Sequence, residues 1–129
     1  MSENKQLPTG TIGWHDLTVP DAEAVRDFYQ KVIGWTFVPV EMDGYSDFAM
    51  LPPGADSAVA GICHARGPNA QIPPQWLVYF IVEDVDRSAA DCERSGGEIV
   101  VPIREIGGGR FCVIRDPAGA VCALFSPEA

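Results

Sequence analysis

Chemistry in this 129-residue chain must be assembled from few parts: two histidines, His15 and His64, and four cysteines, Cys63, Cys92, Cys112 and Cys122. The cysteines are dispersed, with no CxxC or CxxxC pair, and most lie in apolar surroundings, which points to reduced, buried thiols rather than nucleophiles. A Cys/His pair would need a tertiary contact that the spacing does not supply. Asp16 is the carboxylate of most interest, because strand alternation sets it beside Trp14. It can accept a ligand hydrogen bond, pair with an arginine or act as a base, and the competing reading is a hydrogen-bonded structural acid. Trp14, Phe48, Tyr79 and Phe125 are candidates for an aromatic lining, with Tyr45 and Tyr79 adding phenolic hydroxyls. Arg104 and Arg110 flank Glu105-Ile106-Gly107-Gly108-Gly109, a segment able to bring a guanidinium to a ligand carboxylate. It lacks the spacing and the Lys-Ser/Thr ending of a phosphate loop, and the plain alternative is a flexible turn with solvated arginines.

These residues must be positioned by elements whose patterns recur. Thr11 to Val19 reads as a strand, with Leu17 and Val19 turned towards a helix and Trp14, Asp16 and Thr18 opposite. Ala22, Val25, Phe28, Tyr29 and Val32 repeat at helical spacing from Asp21 to about Ile33, and Gly34 ends that helix. WTFVPV, Tyr45 to Leu51 and Val59 to His64 are three further strands, the first marked by Pro39 as an edge or an interruption. The order then restarts. Trp76 to Val82 is a strand, Val85 to Ser95 a helix closed by Gly96-Gly97, and Glu98 to Pro102, Arg110 to Arg115 and Ala120 to Phe125 are strands. Val78, Phe80 and Val82 should face the second helix with Cys122 and Leu124, leaving Leu77, Tyr79, Ile81, Val121, Ala123 and Phe125 on the other face. Shifting the numbering by 63 superposes Val19 on Val82, Asp21 on Asp84, Gly34 on Gly97, Val38 on Val101 and Pro39 on Pro102.

Composition limits the function classes. Hydrophobic residues are 47% of the chain and charged residues 21%, enough for a substantial core. The 18 acidic against 9 basic residues leave a net charge of −9, which repels phosphate backbones and anionic membranes, so nucleic acid is not an expected partner. No segment reaches the roughly 18–20 apolar residues that span a bilayer, and MSENKQLPTG does not resemble a secretory signal, so the expected location is the cytoplasm.

GWHDLTVPDAEAVRDFYQKVIGW, WLVYFIVEDVDRSAADCERSGGEIVVP and GGGRFCVIRDPAGAVCALFSP, in this order, resemble the glyoxalase/bleomycin-resistance/dioxygenase superfamily, also called the vicinal oxygen chelate superfamily. The resemblance spans residues 10 to 127 and rests on the strand-Pro/Asp-helix-FY-x-x-x-x-GW pattern, VEDVD, GG and DPAG. It implies an α+β fold of two fused βαβββ modules, residues 11–64 and 76–125, whose curved mixed sheets surround a cavity. They form a single domain over 11–127 after a tail at 1–10, and the resemblance also implies a homodimer. Metal-dependent relatives carry histidine or glutamate on inward strand positions. Here Trp14, Leu77 and Ala123 occupy those positions, and Ala60 to Ile62 offers no carboxylate. A rescue would either use His15 after a one-residue slip, which reverses the strand faces, or recruit Asp16 and His64. No metal or other cofactor is therefore expected. The leading expectation is a metal-independent protein that binds a small organic molecule, as resistance or sequestration proteins do. Its binding candidates are Trp14, Asp16, Tyr45, Phe48, Tyr79, Arg104, Arg110 and Phe125. The alternatives are a small lyase, epimerase or dioxygenase with a noncanonical site, and a structural or partner-binding dimer.

Overall fold

The computed structural model describes residues 7–128. The order along the chain is β1 (Ile12–Val19), α1 (Ala22–Ile33), β2 (Thr36–Glu41), β3 (Ser46–Leu51), β4 (Ala60–His64), a 3-10 turn (Gly67–Asn69), β5 (Trp76–Ile81), α2 (Val85–Arg94), β6 (Glu98–Ile106), β7 (Gly109–Arg115) and β8 (Val121–Pro127). This is the expected βαβββ order, twice, with mixed parallel and antiparallel pairing. The chain divides into two compact units, His15–Trp76 and a second built from Leu77–Ala129 with the segment ending at Trp14. Of the tail expected over residues 1–10, residues 1–6 lie outside the described residues, while the Gly10 N–H bonds Ile81 O at 2.7 Å.

Each unit is an open row of four strands, β2-β3-β4-β1 in His15–Trp76 and β5-β8-β7-β6 in the other. The first strand of each module pairs in parallel with its last, Asp16 opposite Gly61 and Tyr79 opposite Ala123, while β2 with β3, β3 with β4, β6 with β7 and β7 with β8 are antiparallel. The expected curling of the sheets around a cavity is not what these ladders show. Each row stops at an outer strand carrying a proline, Pro39 in β2 and Pro102 in β6, and a residue without an N–H suits an edge rather than a closed ladder.

The helices cover one face of each row. Asp21 caps α1 by accepting the Ala24 N–H at 3.1 Å, and Gly34, at φ 89°, closes it with an N–H bond to Gln30 O. Beneath it lie Leu17, Val19, Ala22, Phe48, Met50 and Ile62, flanked by Val25, Tyr29, Trp35, Phe37 and Trp76. Asp84 caps α2 by accepting from Asp86 and Arg87 at 3.0 and 3.3 Å. The core there joins Val85, Ala89, Cys112 and Leu124 with Phe80, Val82, Ile99, Ile103 and Ile114. The strand parity read from the alternation is therefore the parity of the fold.

Two details depart from expectation. Gly96, at φ 94°, takes the left-handed turn after α2, so the conformational counterpart of Gly34 is not Gly97. Gly97 is glycine for space: a Cβ there would stand 2.6 Å from Cys92 Sγ and 2.9 Å from the Arg115 carbonyl. The segment expected as a glycine loop between Arg104 and Arg110 is mostly strand. β6 runs through Arg104, Glu105 and Ile106, and Ile106 pairs with Gly109 across a tight turn at Gly107-Gly108. The register shifts around Pro102 let β6 continue past a residue that cannot join the ladder.

Candidate functional site

Polar chemistry concentrates in the His15–Trp76 unit, where β1, β3 and β4 lie side by side. Asp16 sits opposite Gly61, and its carboxylate occupies the space a side chain there would fill: a Cβ on residue 61 would meet Asp16 Oδ1 at 2.3 Å. Cys63 and Asp47 extend the same face. Burial, with the charges of Asp16 and Asp47 and a hydrogen bond to Asp47 adding to it, pushes the Cys63 thiol far above its ordinary range, so it stays protonated.

Asp47 also holds His64. Its Oδ1 accepts the His64 backbone N–H at 2.9 Å and lies 3.1 Å from His64 Nδ1. Both side chains are largely buried, at 10% and 13% exposure. A carboxylate only accepts, so this contact places a proton on His64 Nδ1. The Tyr45 ring stands edge-on to His64 at 5.4 Å, and the Arg66 guanidinium lies over the same ring at 3.9 Å.

On the helix-bearing face of this unit lies a cavity of about 360 Å³, lined by His15, Tyr29, Ile33, Trp35, Val59, Ala60 and Trp76. Tyr29, Trp35 and Trp76 contact one another with ring centres 5.5–5.8 Å apart. The Trp76 indole donates to the Tyr29 hydroxyl at 3.2 Å. None of the eight residues singled out in the sequence lines this cavity.

Those eight are dispersed. Tyr79 stacks on Phe111 at 6.0 Å, Arg104 lies 4.8 Å over the same ring, and Phe125 is the register partner of Phe111, so three of them meet on the helix-free face of the second unit. Arg110 points the other way and is bound by Asp86 of α2. Phe48 is buried opposite Ile62 in the core under α1, where register puts it with Leu17. Trp14 shares the Asp16 face of β1 and is half-buried. Of the set, Tyr45 and Phe48 both meet the His64 ring, with ring centres 5.4 and 6.2 Å away. The sequence reading missed Asp47, Arg66 and Phe111; the one available signal was Asp47 itself, a carboxylate inside the strand run SDFAML.

The positions at which the family resemblance implies metal ligands do not suit an ion. Leu77 and Ala123 are fully buried hydrocarbon side chains, and the Trp14 indole has no lone pair to give. Among the described residues no three histidine, cysteine, aspartate or glutamate side chains converge on a metal position.

Comparison with known proteins places this arrangement in a class. The profile of the Glyoxalase/Bleomycin resistance protein/Dioxygenase superfamily matches residues 11–124, and the chain belongs to that superfamily. It is 34% identical over 128 residues to the anthracycline biosynthesis protein DnrV of Streptomyces peucetius, covering 90% of this chain and 46% of DnrV. It is 32% identical over 120 residues to CFP32 of Mycobacterium bovis, whose name carries only a provisional glyoxylase assignment, covering 92% and 45%. The chain thus spans about half the length of the curated relatives it matches. The fold is shared with methylmalonyl-CoA epimerase from Mycobacterium tuberculosis at TM-score 0.56 and 18% identity, over 96% of this chain and 94% of that one. Another methylmalonyl-CoA epimerase of this fold, at TM-score 0.58 and 18% identity over 95% and 97% of the two chains, was solved with methylmalonyl-CoA bound. No helix among the described residues is long and apolar enough to cross a membrane.

Proposed function

We propose that this chain acts on a small oxygen-bearing organic molecule as an epimerase- or lyase-type enzyme, with His64 as proton acceptor and Asp47 holding it in place. The observation that carries the reading is the Asp47–His64 contact at 3.1 Å, which orients the ring through Nδ1–H, so that in the neutral ring Nε2 is the atom that receives a proton. A base at Nε2 removes a proton from carbon beside a carbonyl, and the C–H electron pair moves into an enolate. Protonation of the enolate by water on its opposite face, with the His64 proton released to solvent, inverts the centre; departure of a group from the neighbouring carbon, with the electron pair, completes an elimination. Neither outcome requires the metal ligands that Trp14, Leu77 and Ala123 replace. The epimerases that share the fold support this chemistry, and the biosynthetic role in the name of DnrV supports an organic substrate.

The test is solvent-deuterium incorporation, followed by proton NMR, into methylmalonyl-CoA and a panel of α-substituted ketones and acyl thioesters. Wild-type protein should exchange the α-proton of at least one compound. His64→Gln should lose about 10²-fold or more of that rate, the usual contribution of a positioned general base. Asp47→Asn should lose a smaller factor through misorientation. Exchange at the wild-type rate by folded His64→Gln protein would refute the role. A second reading, carriage of an organic molecule without turnover, is favoured by the aromatic cavity of Tyr29, Trp35 and Trp76. Saturable binding there with no exchange of any compound would select it. We also propose that the chain forms a homodimer, as the family resemblance implies, which light scattering would decide.

A further inference from the structure

The geometry points to Arg66 as a carboxylate-binding residue beside His64, so that the molecule handled there carries a carboxylate. The inference rests on the reading of the His64 corner as the substrate site and adds the substrate class. Its basis is the state of Arg66 in an acidic protein. Arg26, Arg87, Arg94, Arg110 and Arg115 are each paired with an aspartate or glutamate. Arg66 has no such partner among the described residues, although acidic side chains outnumber basic ones 18 to 9 in the chain. Its guanidinium instead lies over the Tyr45 ring, 3.9 Å from the ring centre.

The backbone beneath it is tied on both sides. The Arg66 N–H bonds His64 O at 3.0 Å, and its own carbonyl accepts the Asn69 N–H at 2.9 Å. A guanidinium held over a ring gives up none of its N–H donors to that contact, and its fork can meet a carboxylate through two parallel bonds. Because the Tyr45 ring is shared, with His64 perpendicular to it at 5.4 Å, a carboxylate held by Arg66 is brought to the neighbourhood of His64. A net charge of −9 repels anions from the surface at large, so an anion found here is held by this local pair rather than by the general field.

The experiment uses the whole chain and succinate as probe. Only two histidines are present, so the imidazole resonances are readily assigned. Succinate should shift the His64 resonance saturably and leave His15 unmoved. Succinamide, its uncharged isostere, should not. Arg66→Gln and Tyr45→Ala should each weaken succinate binding by about tenfold or more, as loss of a charge-assisted bidentate contact implies, and Arg66→Lys should fall between them and wild type. Inorganic phosphate binding as tightly as succinate would overturn the carboxylate class. Succinate that fails to bind, or binds Arg66→Gln equally well, would overturn the inference outright. Failure of the enzyme reading has a different signature: succinate binding that depends on Arg66, together with no deuterium exchange sensitive to His64.

Discussion

Gly61→Ala tests the most crowded point of the polar face, because the structure states which atom it would hit. Gly61 has an ordinary backbone conformation, so alanine meets no φ/ψ penalty. Its Cβ would stand 2.3 Å from Asp16 Oδ1, 3.4 Å from Asp16 Cγ and 3.7 Å from Cys63 Sγ. Only the first distance is impossible, and it involves the far end of a side chain rather than backbone, so the carboxylate must give way while the strands stay in register. Overpacking of this kind costs about 1–3 kcal/mol. Replacing glycine where the backbone is permissive returns about 0.4–1 kcal/mol through the unfolded chain. The expected net loss is therefore roughly 0.5–2 kcal/mol in the wild-type background. In an Asp16→Ala background the obstacle is gone, and the same substitution should stabilise by about 0.4–1 kcal/mol. Urea unfolding of the four proteins of this cycle, followed by tryptophan fluorescence, gives the coupling, expected at about 1–3 kcal/mol. An equal effect of Gly61→Ala in both backgrounds would show that Asp16 does not lie over Gly61, and would remove the carboxylate from this face.

Gly109→Ala should be costlier than Gly61→Ala, about 3 kcal/mol or more, because its Cβ would meet the Ser126 carbonyl at 2.5 Å as well as the Phe125 ring, and backbone cannot rotate away; thermal unfolding checks this. Cys63 should resist iodoacetamide in the native protein at pH 8 and label promptly once unfolded, as peptide mass mapping would show; prompt native labelling would contradict its raised pKa. The same shift sets a pH dependence. With the folded thiol raised above its ordinary 9.0, its contribution is fully present below about that pH and is lost above it, as the unfolded thiol ionises and the folded one does not, at up to about 1.4 kcal/mol per pH unit. A stability curve flat from pH 8 to 11 would be inconsistent with that. Arg110→Ala should change stability by no more than about 1 kcal/mol, since its pair with Asp86 is solvent-exposed, and should leave succinate binding unaltered.

The fold was legible because local chemistry and tertiary packing agree. Asp21 and Asp84 are the caps their positions suggest, and alternation sorted the helix-facing residues of β1, β5 and β8. The site was less legible, because it depends on register between strands distant in sequence. Nothing near Asp47 in the chain announces that its oxygen will meet His64, since that contact follows from Phe48 pairing with Ile62. Phe48 illustrates the converse: an aromatic residue in a strand reads equally as pocket wall or core, and its pairing partner decides. Arg110 was attractive as a free cation beside glycines, but Asp86 on α2 claims it, a contact across 24 positions that the local sequence cannot display.

The parallel pairing of first and last strands in each module also orders assembly in time. β2 with β3, and β6 with β7 and then β8, are antiparallel neighbours whose turns are short, so they can zip soon after synthesis. β1 cannot form its ladder with β4 until a helix and two strands have been made, and β5 waits in the same way for Val121–Pro127. Closing such long loops is the slow, entropically opposed part of folding. Asp16 is positioned in that late step, when β1 docks beside Gly61. The polar corner is therefore finished after the hairpin that supplies Asp47, and a ribosome-bound intermediate would carry Asp47 in a hairpin with no Asp16 yet beside it.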